Sequence, residues 1–218
     1  MTTRTIPILL LALAACGPTL DPVAPDAAAR AGSATSELVA DGFALLGTKD
    51  GVTLLSRRRA AGLELAAEGE LPASPERIER VLLDYPAHKS WQGHLAQCKV
   101  VAQGPDWLDV YERLSLPMLD DRDYTLHVTW GVDGDTRWMK FKATRESGPP
   151  PIEDVVRLGV HEGGWRLEPI DGGARTRALY RFRLDIQSDL ADAMGSGQAE
   201  SDLVDLFAQI AAQLPRYP

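Results

Sequence analysis

The sequence predicts an α+β fold in which a curved antiparallel sheet wraps around a long C-terminal helix. Three observations carry this. From Leu95 onward, apolar residues recur at every second position in six or seven successive segments, the period of strands with one dry and one wet face. Turn signals such as Gly131-Val132-Asp133-Gly134 and Asp171-Gly172-Gly173 separate these segments. A single helical stripe closes the chain over residues 199–214, with Leu203, Phe207, Ile210 and Leu214 spaced i, i+4, i+7 and i+11. Strands and helices are segregated instead of alternating, which argues against βαβ units.

Taken in chain order, residues 36–48 predict a helix capped by Ser36, with Leu38, Val39, Gly42, Leu45 and Leu46 on one side. Val52, Leu54 and Leu55 mark a strand. Leu63, Leu65 and Ala67 mark a second, joined to it as a hairpin through Ala60-Ala61-Gly62. Ser74 precedes Pro75-Glu76 as an N-cap with proline at the first helical position; Ile78, Val81, Leu82 and Tyr85 form that helix's stripe, and Pro86 ends it. The later strands place Ala96, Cys98, Val100 and Ala102, then Leu108, Val110 and Leu114, then Tyr124, Leu126, Val128 and Trp130 on apolar faces. Met139 and Phe141, Val156 and Leu158, Trp165 and Leu167, and finally Tyr180 and Phe182 continue the pattern. Arg175, Arg177, Arg181 and Arg183 take the wet side of the last strand, where Glu64, Glu68 and Glu70 are their expected partners.

The N-terminus reads separately. Ile6 to Ala15 is apolar for about ten residues, within the ~7–15 of a secretory signal and short of the ~20 of a spanning helix. Leu13-Ala14-Ala15-Cys16 at its end resembles a bacterial lipobox, which implies cleavage after residue 15 and lipid on Cys16; an ordinary signal peptide cut nearby is the alternative. Gly17, where many inner-membrane lipoproteins carry aspartate, favours the outer membrane of a bacterial envelope. Residues 16–35 are rich in Pro, Ala and Gly and predict a flexible tether, leaving residues 36–218 as one domain. Cys98 is the only other cysteine and so lacks a disulfide partner; its strand position makes it a small buried hydrophobe.

The net charge of −8, with no basic block, excludes a nucleic-acid partner. Among the four histidines only His88 and His94, six apart with Asp84 nearby, offer a weak metal spacing, and there is no nucleophile elbow, Ser/His/Asp set or glycine-rich phosphate loop. Neither a cofactor nor a metal is expected, and no residue is assigned to catalysis.

Four features together resemble a START domain, the lipid-transfer module related to the steroidogenic acute regulatory protein. They are Trp91 after the second helix, Leu116-Pro117 leading to Arg122-Asp123-Tyr124, the segment Gly164-Trp165-Arg166-Leu167-Glu168-Pro169, and a closing strand that feeds the terminal helix. The resemblance implies the helix-grip fold and a lipid-sized tunnel. It departs from the family at Val128, where many members place a tunnel arginine paired with an acid, and at Asp185-Ile186-Gln187-Ser188, which lacks the usual turn and tryptophan. A neutral apolar ligand therefore fits better than one needing a charged anchor.

Strand parity places Val110, Glu112, Leu114, Arg122, Tyr124, Leu126, Val128, Trp130, Met139, Phe141, Tyr180 and Phe182 toward such a cavity, with Phe207 from the helix. Taken singly, each is read first as packed core and second as a ligand contact. Glu112 is expected at a strand end in water, or else paired with Arg122, because an unpaired buried carboxylate is costly. Arg122 and Asp123 are expected to fix a loop. The reading is a membrane-anchored lipoprotein that binds or transfers a hydrophobic, lipid- or sterol-like molecule. The alternatives are an enzyme on the same fold, cyclase- or hydrolase-like, and a filled-core scaffold for another envelope protein.

Overall fold

The structure, a computed structural model, describes residues 33–59, 62–115, 120–184 and 196–218. Cys16 with the expected signal, most of the tether, Leu116-Pro117 and the turn at residues 185–188 lie outside these. The elements are α1 (Ser33–Ala40), β1 (Ala44–Lys49), β2 (Val52–Arg59), β3 (Gly62–Leu71), α2 (Pro75–Leu83), a single turn α3 (Tyr85–His88), β4 (Leu95–Gln103), β5 (Trp107–Leu114), β6 (Asp121–Asp133), β7 (Thr136–Thr144), β8 (Val155–Arg157), β9 (His161–Ile170), β10 (Arg175–Leu184) and α4 (Ser196–Gln213). Short 3-10 turns occupy Asp171–Gly173 and Leu214–Arg216.

Among the described residues ten strands join one sheet in the order β1-β2-β3-β10-β9-β7-β6-β5-β4, with β8 parallel to the start of β6. Every other pairing is antiparallel, as the period-two pattern requires. The inner face packs on α2 and α4. Ile78 and Val81 of α2, Phe207 and Ile210 of α4, and Leu54, Leu71, Val110, Val128, Leu167 and Ala178 of the sheet form one buried cluster. Each large aliphatic side chain in it contributes roughly 1.5–3 kcal/mol on leaving water. The stripe expected on the last helix is confirmed: Leu203, Phe207, Ile210 and Leu214 are all buried. Ser74 is the N-cap residue of α2 with proline behind it, again as expected, although its side chain makes no capping bond.

The first helix differs from expectation. It begins at Ser33 and stops at Ala40, and Leu45 and Leu46 belong to β1. Gly42 is the cause. At φ +89° it adopts the left-handed conformation that ends helices, Gly42 N donates to Val39 O at 3.1 Å, and Phe43 N donates to Leu38 O at 3.0 Å. Leu38 and Phe43 then pack together with Leu55 and Ala66 as a second small core on the outer face of the sheet. Arg57 lies over the Phe43 ring at 4.4 Å and Arg181 at 5.2 Å, and Glu68 accepts from both the backbone and hydroxyl of Thr35. Thr35, expected in the tether, is buried.

The chain end is strapped to α2. Arg77 donates to Leu214 O at 2.8 Å and to Tyr217 O at 2.5 Å, while the Tyr217 hydroxyl donates to Asp84 at 2.8 Å. The C-terminal end of α4 is therefore held in place by backbone acceptors and a carboxylate together.

Candidate functional site

The inner wall is assembled in cross-strand rows. Glu112 faces Tyr124 and Val110 faces Leu126 between β5 and β6, with Leu114 opposite Arg122. Val128 continues to Phe141, Gly163 and Phe182; Trp130 continues to Met139, Trp165 and Tyr180. One register thus brings every predicted strand residue to the same face. Gly163 is required by that closeness: a Cβ there would stand 2.2 Å from Arg181 O and 2.7 Å from Phe182 Cα.

The wall is not covered evenly. Val110, Leu126, Val128, Met139, Phe141 and Phe207 are buried in the packed core. The Phe207 ring lies 5.7 Å from Trp165 and rests on Gly69, where a Cβ would approach it to 3.0 Å. Leu63, Leu114, Trp130, Ala143, His161, Tyr180 and Phe182 share the inner face but are only partly buried. Apolar and aromatic surface is thereby left uncovered inside the sheet's curve.

A polar group sits within this apolar wall. Glu112 is 6% exposed, within hydrogen-bonding reach of the Tyr124 hydroxyl and 3.5 Å from the Cys98 thiol, which itself donates to Tyr85 O at 3.0 Å. It is neither at a wet strand end nor paired with Arg122, whose guanidinium donates to the carbonyl of Asp120. Parity aimed Glu112 inward, and the neighbours that satisfy it come from β6 and β4. Burial raises its carboxyl, and the Tyr124 and Cys98 hydrogen bonds pull the other way. Tyr85, Tyr124 and Tyr180 are pushed up by burial and then by the Glu112 charge, so all three phenols feel one carboxyl. Cys98 is thus more than an apolar filler: burial and Glu112 hold its thiol protonated.

His161 is the wall residue that pattern reading missed. Its ring stands edge-on to Tyr124 at 4.6 Å and to Phe141 at 5.2 Å, and Nδ1 has no hydrogen-bond partner. Burial holds the imidazole down at about 4. The signal was present, since His161 shares strand parity with Trp165 and Leu167. A similar neutral histidine, His88, is also held at about 4 by burial and meets the Trp91 ring at 4.8 Å.

The Arg122-Asp123-Tyr124 triplet divides its work. Tyr124 points inward, and Asp123, 1% exposed, receives Arg157 and the Tyr111 hydroxyl. This fastens β8 beside β6, so Asp123 fixes a loop as expected. On the outer face the arginine ladder is also as expected: Arg181 pairs with Glu64, Arg177 with Glu68 and Arg175 with Glu70. A groove of about 810 Å³ lies among these outer side chains, flanked by Trp138, Lys140, Lys142, Arg166 and Arg183. Register sets it apart from the inner wall, and most of its charges are already paired. No trio of His, Cys, Asp or Glu among the described residues could hold a metal ion, and none of their helices is long and apolar enough to cross a membrane.

No protein-family model and no curated protein sequence matches the chain. Solved structures do. The STAR-related lipid transfer protein of Xanthomonas axonopodis superposes with TM-score 0.69 at 21% identity, over 80% of this chain and 99% of that one. Human StAR-related lipid transfer protein 5 gives 0.68 at 15% identity, over 88% and 98%. Human STARD10 gives 0.67 at 18%, over 92% and 85%. With a curved antiparallel sheet gripping its C-terminal helix in the same arrangement, this chain carries a START-like helix-grip fold.

Proposed function

We propose that the chain binds one hydrophobic molecule between the inner wall and α4, and works as a lipid carrier held to the bacterial envelope through a lipidated Cys16. The carrying observation is the uncovered aromatic surface of Trp130, Tyr180 and Phe182 on an otherwise well-packed inner face. The lipid-transfer names of two structural neighbours support the same reading. Burial of ligand surface at ~25 cal/mol per Å² drives retention. Since Arg77 and Asp84 hold the C-terminal end of α4, exchange proceeds by displacement at its other end. A tether before α1 keeps the cup near the bilayer and raises its encounter rate, in the outer membrane by preference.

Native mass spectrometry of the purified protein, followed by organic extraction, tests this. A lipid retained at near one-to-one stoichiometry is the expected result. An empty protein that takes up no sterol, fatty acid or phospholipid sinks the carrier reading. An enzyme on the same fold is the second reading, favoured by the convergence of Glu112, Tyr124 and Tyr180. It predicts that a bound ligand emerges chemically altered after incubation, and that Glu112→Gln stops the change.

A further inference from the structure

The inner wall carries its own statement about the polar end of the ligand. Glu112 is the acid set into it on β5, and its neighbours there are a phenol, a thiol and apolar side chains. No guanidinium or ammonium among the described residues is paired with it. Arg122, one register step along, is directed to the Asp120 carbonyl. The position where a cation would be expected from the family resemblance is Val128, which is fully buried.

An anionic headgroup fits this centre in neither of its protonation states. Against the ionised carboxylate, a second negative charge a few ångströms away in a dry site is strongly repelled. Against the neutral acid, the headgroup loses its water and finds no cation in return. A buried ammonium would have to desolvate two opposite charges together, a cost that their attraction often fails to recover. A hydroxyl meets neither difficulty. It can donate to Glu112 and accept from a phenol, and Tyr124, paired with Glu112 across β5 and β6, supplies one.

Resting on the carrier reading above, we propose that the ligand is a lipid whose polar end is an uncharged hydroxyl seated against Glu112, and that the cup excludes anionic lipids of the same hydrocarbon body. Glu112 is then the selectivity residue of the site.

The test is a competition. The full chain is incubated with neutral phosphatidylcholine vesicles carrying equal amounts of hexadecan-1-ol, hexadecanoate and hexadecylamine, and in parallel with cholesterol and cholesteryl sulfate. Bound lipid is then extracted and quantified. The expected result is at least a tenfold preference for the hydroxyl member of either set. Glu112→Leu, which removes the carboxyl that holds the ligand hydroxyl, is expected to cut that preference at least threefold by weakening retention of the alcohol. Carboxylate, sulfate or amine bound as well as the alcohol by the unmodified protein overturns the proposal, and that comparison needs no variant. A preference that Glu112→Leu leaves unchanged overturns the role of Glu112. If no member of either set binds, the carrier reading falls with it; binding without discrimination sinks only the hydroxyl inference.

Discussion

Arg157 grips Asp123 with two prongs: Nε meets Oδ1 and Nη2 meets Oδ2, both at 2.7 Å, while the Tyr111 hydroxyl reaches Oδ2 at 3.1 Å. The backbone joins in, with Leu158 N donating to Asp123 O at 2.9 Å. A parallel strand of only three residues has little ladder of its own, so this pair is what attaches the segment to the sheet.

Asp123→Ala leaves the guanidinium and the phenol facing a buried gap, and removing one partner of such a pair typically costs about 3–5 kcal/mol. A fall of that size in urea-unfolding free energy is expected. A loss below about 1 kcal/mol would show the pair to be as weak as an exposed one.

Glu64 sets an acid limb to the stability curve. Burial raises its carboxyl, but hydrogen bonds from Arg181, Arg57 and Arg59 together outweigh this and bring it down to about 2 from an ordinary 4.5. A depressed carboxyl stabilises the fold above its unfolded value and loses that contribution as pH falls from about 4.5 toward about 2. The contribution is on the order of 3 kcal/mol. Glu64→Gln is expected to be less stable at pH 6, with the gap narrowing as pH drops through this window. A gap independent of pH refutes the linkage.

For His161 the window lies higher. Its folded value of about 4 sits below the unfolded 6.5, so the fold loses stability as pH falls from 6.5 to about 4, where the unfolded chain takes up the proton more readily. His161→Phe replaces an unpartnered ring among aromatic neighbours with an apolar one. The variant is expected to match or exceed the parent at pH 7, and to flatten this limb by roughly 3 kcal/mol. His88, held at about 4, leaves a remainder of the slope in place. Denaturant midpoints from pH 7 to 4 decide it, and an unchanged slope counts against a buried neutral His161.

Gly163→Ala forces a methyl group against Arg181 O and Phe182 Cα, which are backbone atoms that cannot swing aside. The expected cost is about 3 kcal/mol, at the upper end for overpacking. A thermal midpoint within a degree of the parent would mean that the two strands are less tightly apposed than they stand.

Much of this arrangement is legible in the sequence. A strand with one dry face declares its inward residues by parity, which is why Val110, Tyr124, Val128 and Phe141 fell on one wall. Parity puts Glu112 on the right face but does not reveal its surroundings, since β5 alone says nothing of Cys98 on β4 or of Tyr124 on β6. His161 shares the parity of Trp165, but a lone histidine in a short polar-flanked run carries no hydrophobic signal. Leu45 and Leu46 extend the apolar side of the first helix in sequence, whereas Gly42 in the left-handed region ends it before them.

Glu64 accepts from Arg57 and Arg59 through one oxygen and from Arg181 through the other. Three cations on one acceptor form a hub with redundant spokes. Loss of any one arginine leaves two to hold the carboxylate, whereas loss of the carboxylate strands Arg59 and Arg181 at once and leaves Arg57 only Asp41. Mutational tolerance is therefore lopsided: single changes at Arg59 or Arg181 should be nearly silent, and damage should appear when they are combined. A saturation scan in which either of these two arginines mattered as much as Glu64 would contradict it. This patch of the outer face is thus robust to drift in its exposed cations and dependent on a single acid.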